Sequence, residues 1–318
     1  FARSLTQAIR CLAAPEALSH SLMMTTVKPC EFVNVNGTIT EGAKASVSVF
    51  DRGFLFGEGV YETIRTYNRR PFLFDRHMAR LRTSAARIDL TCPLSNEVIQ
   101  ARIDATIEAG FSVGDAYIRM LLTRGVGDIS YDPKACSIPS FVIIAKPHSP
   151  VPLTLQTDGV MISLVSVVRN HPGSVDPAIK SNNLLNNALA MQQAFKEGTY
   201  EALMRNYRGD LTECSQSNFF IVRDGAALTP PLAAGLLEGV TRNFVFEIGT
   251  EIGLSVREAT LRDGDLRTAD EAFLTSTTRE IVPIVRVGQV TIGAGSPGPV
   301  TQRLLAGLRR KADALTSA

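Results

Sequence analysis

The amino-acid sequence predicts an α+β fold built from two domains. With 318 residues, 45% of them apolar and 20% charged, the chain is long enough to bury two cores. Strand-like alternation and amphipathic helical stretches follow one another in both halves, and a proline-rich stretch, "KPHSPVPLTLQTDG", separates the halves. We therefore predict a small α+β domain at 25–147, an interdomain linker at 148–158 and a larger domain at 159–318.

The first domain begins with hairpin signals and continues with helices. Asn36-Gly37 lies between alternating residues, and "YETIRTYNRRPFLF" is typical of two strands turning near Asn68. Apolar residues at helical spacing predict a helix over "RHMARLRTSAARIDL", and a second helix over "SNEVIQARIDATIEAG" ends at Gly110. The stretches "AYIRMLLTRG" and "SFVIIAK" are predicted strands.

The second domain is expected to mix strands with three helices. One helix follows Lys180, a second begins around Val240 and a third begins at about Pro299. The predicted strands are "EALMRNY", "FFIVRDGAALTPP" with an Asp224-Gly225 turn, and "EAFLTSTTREIVPIVRVG".

Composition excludes several classes of function. Thirty-three basic and 31 acidic residues leave a formal charge of +2, too balanced to indicate a nucleic-acid binder, so small molecules are the expected partners. No apolar run reaches the length of a membrane-spanning helix. The five cysteines are scattered and form no CxxC pair, which argues against a disulfide framework or a metal site and favours a reducing compartment, the cytoplasm.

The segment 1–24 stands apart from this pattern. It opens on Phe1, has two arginines before its first acidic residue, Glu16, and carries no motif. We expect it to be a dispensable extension that is not part of the native protein, with Met23 or Met24 as the natural start. An organellar targeting segment is the alternative.

Lys180 is the first candidate for chemistry. Ala178 and Ile179 precede it and a leucine-rich helix follows, whereas the other lysines lie beside turn residues, on polar faces or after arginines. An apolar setting lowers the pKa of a lysine and makes its amine a nucleophile toward carbonyl groups. A solvated lysine at the start of a helix is the alternative.

Further candidates suggest a carboxylate and an anion site. Glu213 in "LTECSQSNFFIV" precedes an apolar strand, where a buried carboxylate needs a cationic partner; a surface or N-cap glutamate is the alternative. Val240 and Thr241 begin a helix whose free N–H groups favour an anion. The hydroxyls of Thr277 and Thr278 and the guanidinium of Arg80 are further candidates for this anion site. The alternatives are that Thr241 only caps its helix, that the two threonines are ordinary strand residues and that Arg80 lies on a solvated helix face.

Taken in order, these motifs resemble the class IV, fold-type IV family of pyridoxal phosphate-dependent aminotransferases. The resemblance runs through "FGEGVYETIR", "HMARL", "AYIRMLLTRG", "IKSNNLLNN", "LTECSQSNFF", "GVTR" and "STTREIVPI" and covers residues 31 to 310. It implies a small domain, a larger pseudobarrel domain, pyridoxal 5'-phosphate between them and a homodimer that completes the site.

The same resemblance implies a role for each candidate residue. Lys180 would be the Schiff-base lysine and proton shuttle, and Glu213 the partner of the pyridine nitrogen. The phosphate would be held by four residues: Arg80, Val240, Thr241 and Thr277. The substrate pocket would be formed by another four: Tyr61, Tyr117, Arg119 and Thr278.

The motifs within the family disagree about the substrate. Tyr117 and Arg119 in "AYIR", and "TRGVGDISYDP", resemble branched-chain aminotransferases, while "IKSNNLL" resembles the D-amino acid enzymes. The Arg-x-His that follows "TRG" in those enzymes is absent here. The interpretation adopted is transfer of an amino group from branched-chain L-amino acids to 2-oxoglutarate. The alternatives are a D-amino acid aminotransferase, an aminodeoxychorismate lyase and a non-catalytic binding protein on the same fold.

Overall fold

A computed structural model describes residues 31–317, which form two β-sheets with helices packed against them. The first sheet and its helices comprise β1 (Phe32–Val35), β2 (Thr38–Glu41), α1 (Arg52–Phe56), β3 (Gly59–Tyr67), β4 (Arg70–Pro71), α2 (Phe74–Ala86), α3 (Asn96–Gly110), β5 (Ala116–Thr123) and β6 (Ser140–Pro147). Its strands run in the order β2-β1-β6-β5-β3-β4, and every neighbouring pair is antiparallel.

Two turns predicted from the sequence set the register of this sheet. Asn36 and Gly37 both have positive φ, 53° and 99°, and Val35 pairs with Thr38, so β1 and β2 form a two-residue hairpin. Asn68 and Arg69 also have positive φ and join β3 to β4, where Tyr67 pairs with Arg70. Both predicted hairpins are confirmed.

Helices α2 and α3 cover one face of the first sheet. Ile64 and Ile118 of the strands pack with Met78 and Leu81 of α2 and with Ile103 of α3, and all five side chains are fully buried. The apolar spacing that predicted α2 therefore marks the face that enters the core. The opposite face of the sheet is left for the residues that line the cavity described below.

The second sheet forms most of the rest of the molecule. It comprises, with its helices, α4 (Leu153–Thr157), β7 (Val160–Leu164), α5 (Leu185–Lys196), β8 (Ala202–Arg205), β9 (Leu211–Cys214), β10 (Asn218–Arg223), β11 (Ala226–Thr229), α6 (Val240–Glu251), β12 (Val256–Glu258), α7 (Asp263–Leu266), β13 (Glu271–Ser276), β14 (Glu280–Val287), β15 (Val290–Thr291) and α8 (Pro299–Thr316).

Six of these strands close on themselves. The order β10-β13-β14-β7-β8-β9 returns to its start because Glu213 of β9 pairs with Asn218 of β10. This closed ring is the pseudobarrel implied by the resemblance, and the α+β fold class is confirmed. Closure also brings the end of β9 beside the start of β10, so that Glu213 lies at a sharp connection rather than in mid-sheet.

Helices α6 and α8 cover one side of the barrel. Phe244 of α6 and Leu304 of α8 pack on Phe220 and Phe273, whose rings stack with centroids 4.7 Å apart. Phe72, which follows β4 of the first sheet, meets Phe244 edge-on at 5.3 Å. The two sheets are therefore joined through an apolar contact.

The connections on either side of β7 differ in part from expectation. The predicted linker 148–158 lies between the sheets and contains the short helix α4; the domain boundaries themselves stay a prediction. Helix α5 begins at Leu185, so Lys180 lies in the irregular segment before it and not at the helix start. The segment 1–24 lies outside the described residues. Between residues 31 and 317, no helix is both long and apolar enough to span a membrane.

Candidate active site

One cavity of about 500 Å³ contains every residue that the sequence singled out for chemistry. Its wall is built from both sheets and from the starts of α5 and α6. The predicted residues that line it are Tyr61, Arg80, Tyr117, Arg119, Lys180, Glu213, Val240, Thr241, Thr277 and Thr278. Residues far apart in the chain thus meet at the junction of the two halves.

Main-chain hydrogen bonds place Lys180 against β3. Its carbonyl accepts from the N–H of Tyr61 at 2.9 Å, and its own N–H donates to the Ser84 hydroxyl at 3.1 Å. The side chain makes no hydrogen bond or ion pair with any residue between 31 and 317, and its Nζ lies 4.5 Å from the centroid of the Tyr61 ring. The backbone is therefore fixed, while the amine is left available in the cavity.

The apolar frame expected around Lys180 is only partly present. Ile179 packs against the first core, but Leu185 is 66% exposed and Leu189 is 44% exposed on the outer face of α5. The helix begins too late in the chain for these leucines to enclose the amine. The Tyr61 ring lies against the amine instead, and the charge of Lys180 acts against the rise in the pKa of the Glu213 carboxyl.

A row of polar side chains from β3 and β5 forms the wall beside Lys180. Thr63 pairs with Arg119 across the two strands, and residues two apart on a strand share a face, so Tyr61 and Tyr117 lie on this face too. The Arg119 guanidinium lies 4.1 Å from the centroid of the Tyr61 ring, and it has no carboxylate partner within residues 31–317. Arg119 is a cation available for an anionic ligand.

Glu213 is buried in the cavity wall, and Arg169 supplies its cationic partner. The Arg169 Nε–H donates to Oε1 at 2.8 Å, while the Asn218 amide and the Leu237 N–H donate to Oε2 at 3.3 and 3.1 Å. Burial raises the pKa of the Glu213 carboxyl, although Arg169 opposes this effect. Since a carboxylate has about four acceptor positions, these three donors leave one free.

Arg80 is held by a second buried carboxylate, Glu62. The Arg80 Nε–H and Nη2–H groups donate to Glu62 at 2.7 and 2.8 Å, and Nη1 donates to the Glu238 carbonyl at 2.9 Å. Burial alone would raise the pKa of the Glu62 carboxyl, but Arg80 and His77 hold it well below its usual value. Because a guanidinium carries five N–H groups, Arg80 keeps two donors for another ligand.

The first turn of α6 opens into the cavity. Gly239 precedes the helix without a side-chain cap, and Val240 and Thr241 provide its first N–H groups. A Cβ on Gly239 would come within 1.9 Å of the Asn218 side-chain oxygen, so a larger residue fits here only if the buried Asn218 side chain shifts. Unpaired N–H groups and the helix dipole make this end favourable for an anion.

The connection between β13 and β14 forms another part of the wall. Residues 277–279 make a tight loop between the paired residues Ser276 and Glu280, and both threonines of the loop line the cavity. Thr275, just before it, has a buried hydroxyl with no hydrogen-bond partner within residues 31–317. Such a group costs free energy unless a ligand or water satisfies it.

Several residues that shape the cavity were missed from the sequence. They are Arg169 beside Glu213, the Glu62 and His77 pair behind Arg80, and the buried Glu201, which binds Arg279 at 2.8 Å and the hydroxyls of Ser215 and Ser217. Each acts through a partner distant in the chain. Only Glu62 had a signal, because it lies next to Tyr61 on a predicted strand where an acid would need a buried partner.

Comparisons with known proteins agree with this architecture. Residues 59–287 match the family model described as amino-transferase class IV. A Methanocaldococcus jannaschii protein named "Putative branched-chain-amino-acid aminotransferase" is 38% identical over 272 residues, covering 86% of this chain and 93% of that protein. The D-alanine aminotransferase of Listeria innocua is 36% identical over 275 residues, with the same 86% and 93% coverage.

Solved structures extend the likeness to the fold. The branched-chain aminotransferase of the thermophilic archaeon Thermoproteus uzoniensis, solved with norvaline, superposes with a TM-score of 0.81 at 32% identity. The match covers 88% of this chain and 94% of that one. Both the closed barrel and the smaller antiparallel sheet therefore have counterparts in a solved fold-type IV structure. A further branched-chain amino acid aminotransferase of similar fold, with a TM-score of 0.82, was solved with pyridoxamine 5'-phosphate.

Proposed function

Because the chain belongs to the class IV aminotransferase family, we propose that it transfers the amino group of branched-chain L-amino acids to 2-oxoglutarate with pyridoxal 5'-phosphate as cofactor. The observation that carries this proposal is one cavity in which an available lysine amine, a buried carboxylate and an arginine without a carboxylate partner in residues 31–317 meet. The cofactor would act as the electron sink for the carbanion formed at the substrate α-carbon.

The phosphate end of the cofactor fits the cavity. The start of α6 at Val240 and Thr241 lines the same cavity as Thr277 and as Arg80, which keeps two N–H donors. The buried hydroxyl of Thr275 has no partner among residues 31–317, as expected if a polar ligand completes the site. These features support Arg80, Val240, Thr241 and Thr277 as the residues that hold the phosphate.

Glu213 is the proposed partner of the cofactor's ring nitrogen. Its remaining acceptor position suits a protonated nitrogen, and Arg169 keeps the carboxylate oriented. Burial raises the pKa of the Glu213 carboxyl and the Arg169 guanidinium acts against this rise; a protonated ring nitrogen beside Glu213 would likewise favour the charged carboxylate.

Lys180 is the proposed catalytic residue. Its Nζ would bind the cofactor aldehyde and, once released, would carry the proton from the substrate α-carbon. The Tyr61 ring against the amine keeps one side of the lysine covered, while the main chain of Lys180 is bonded to β3 and to Ser84. The main chain of Lys180 is therefore held in place, and the amine can move only by rotation about the side-chain bonds.

Arg119, with Tyr117 on the same face of β5, is the proposed receiver of the substrate carboxylate. A planar guanidinium binds a carboxylate with two parallel hydrogen bonds, and Arg119 and Lys180 both lie against the Tyr61 ring. Thr278 lines the same cavity as a further polar contact. Val175, Ile179 and Met191 add apolar surface to the cavity, which suits a branched alkyl side chain.

The alternative of a D-amino acid enzyme would place a loop cation opposite Arg119. Arg124, the nearest arginine after "LLT", does not line the cavity. Its guanidinium donates to the carbonyls of Ile88 and Asp89 and pairs with Glu58, and the residue is 6% exposed. Arg279, another loop arginine, does line the cavity but pairs with Glu201. Arg119 is the cavity arginine without a carboxylate partner in residues 31–317, and this supports a preference for L-amino acids.

A panel of L- and D-amino acids with 2-oxoglutarate tests the proposed substrate. We expect faster turnover of L-leucine, L-isoleucine and L-valine than of D-alanine. Arg119→Ala should lower kcat/KM by about 10- to 100-fold because it removes a charge-assisted pair of hydrogen bonds. Arg119→Lys is the matched control that keeps the charge, and it should recover part of the loss. Preferential turnover of D-alanine would contradict the proposed stereochemistry.

A homodimer is part of the proposal. Large apolar side chains are exposed close to the cavity: Phe50 is 51%, Phe54 is 69% and Tyr131 is 84% accessible. Gly57, at the end of α1, lies against Asn183 of the Lys180 segment, so this apolar surface adjoins the site. An exposed apolar patch of this kind is typical of an interface. We expect sedimentation velocity of the full chain to give a dimer, and a monomer at micromolar concentration would contradict it.

A further inference from the structure

The loop 277–279 is tied to the remainder of the molecule by the residue that follows it, Glu280. Its carboxylate is 6% exposed and accepts from Arg65 Nη1 at 3.1 Å and from the Tyr67 hydroxyl at 3.0 Å on one oxygen. The other oxygen accepts from Arg309 Nε at 2.9 Å. Arg65 and Tyr67 belong to β3 of the first sheet and Arg309 to α8, so Glu280 joins three parts of the fold.

The backbone at Glu280 is in an unusual conformation. Its φ is +59°, in the left-handed region that favours glycine and costs free energy for other residues. Left-handed residues are common where a hairpin reverses the chain, and glycine usually occupies such positions. Glutamate here keeps the strained conformation while adding a carboxylate, and this combination calls for a role beyond the turn.

Other contacts constrain the loop from its remaining sides. His148, which follows β6, donates from Nε2 to the Thr278 carbonyl at 3.1 Å. Arg279 donates to Glu201 at 2.8 Å and to the Ser276 hydroxyl at 3.2 Å. With Glu280 anchored as well, Thr277 and Thr278 are the loop residues whose side chains remain free of protein hydrogen bonds within residues 31–317 and line the cavity.

Arg65 also links the loop to the substrate wall. Tyr61, Thr63 and Arg65 are alternate residues of β3 and share one face of the sheet. Arg65 pairs across the strands with Tyr117 of β5. The guanidinium stacks on the Tyr67 ring at 4.0 Å and is 8% exposed, so it has little freedom to move. A single row of packed side chains therefore runs from Arg119 and Tyr61 through Arg65 to Glu280.

We propose that Glu280 is a positioning residue that holds the 277–279 loop in the conformation required to bind the cofactor phosphate. It acts through the loop rather than by touching the ligand, with Arg65, Tyr67 and Arg309 as its anchors. This inference rests on the proposed function, in which Thr277 contributes to the phosphate site.

The test compares pyridoxal 5'-phosphate with pyridoxal, which lacks the phosphate. The full chain without bound cofactor is titrated with each compound. The Kd for pyridoxal divided by the Kd for pyridoxal 5'-phosphate measures the contribution of the phosphate group. We expect Glu280→Gln to lower this ratio by at least about tenfold while the Kd for pyridoxal changes by less than about twofold. A general loss of structure would weaken both ligands alike.

Three further variants sharpen the comparison. Glu280→Gly accepts the left-handed backbone without strain but has no anchors, so it should lose phosphate preference as Glu280→Gln does. Tyr67→Phe removes one anchor with almost no change of volume and should shift the ratio in the same direction by about threefold, even if Glu280→Gln fails to fold. Glu271→Gln is the matched control, because Glu271 is equally buried on β13 but accepts from Val300 and Thr301 outside the cavity.

The outcomes separate the inference from the proposed function. If the parent protein binds pyridoxal as tightly as pyridoxal 5'-phosphate, the proposed phosphate site is wrong. A parent that prefers the phosphate ester, with the preference retained in both Glu280→Gly and Tyr67→Phe, would overturn the role of Glu280 alone. A fall in the ratio for Glu271→Gln equal to that for Glu280→Gln would likewise overturn it.

Discussion

Replacing Lys180 with alanine is expected to lower transaminase turnover by at least about 10³-fold, because the variant lacks both the nucleophilic amine and the group that moves the proton. The fold should persist, since the hydrogen bonds of Lys180 involve its main chain and not its side chain. Stopped-flow and steady-state assays with saturating cofactor measure the loss, and thermal unfolding checks the fold.

A matched variant and a chemical label make this test specific. Lys196 is an exposed lysine in the last turn of α5, and Lys196→Ala should turn over like the parent. Borohydride reduction of the parent should leave the cofactor mass on the peptide that contains Lys180. Parent-like turnover in Lys180→Ala, or a label on another lysine, would show that a different residue carries the chemistry.

Glu213→Gln is expected to lower kcat by about 10²- to 10³-fold, an effect typical of removing one electrostatic contact to a developing charge. A neutral amide cannot stabilise a protonated ring nitrogen, and it leaves the Arg169 guanidinium without its carboxylate. Breaking a buried ion pair from one side also lowers the free energy of unfolding, by about 3 to 5 kcal/mol. Activity is measured well below the melting temperature, with urea unfolding recorded in parallel.

The control must separate lost stability from lost chemistry. Glu271→Gln also removes a buried carboxylate from the barrel, at a site outside the cavity, so it should lower stability while kcat stays near that of the parent. Cofactor should remain bound to Glu213→Gln, because the phosphate residues are untouched. An unchanged kcat in Glu213→Gln would argue against Glu213 as the partner of the ring nitrogen.

Local sequence patterns were sufficient for most of the elements and for the family. The hairpin at Asn36-Gly37, the amphipathic α2 and the start of α6 at Val240 each depend on a few adjacent residues, whose turn preferences and apolar spacing are visible in the sequence. The order of the motifs around Lys180 and Glu213 identified the family for the same reason, because each motif is short and contiguous. The substrate preference stays a prediction.

The partners of the site residues were decided by the tertiary structure. Arg169 reaches Glu213 across 44 residues, Arg279 reaches Glu201 across 78 and Arg65 reaches Glu280 across 215. These pairs depend on strand register, on closure of the barrel and on how the two sheets meet, and no local pattern encodes those three together. The sequence by itself therefore determined which residues are the candidates for the chemistry. Only the folded chain determined which buried charges hold them in position, because a buried charge is costly without a partner and only tertiary contacts decide which partner comes within reach.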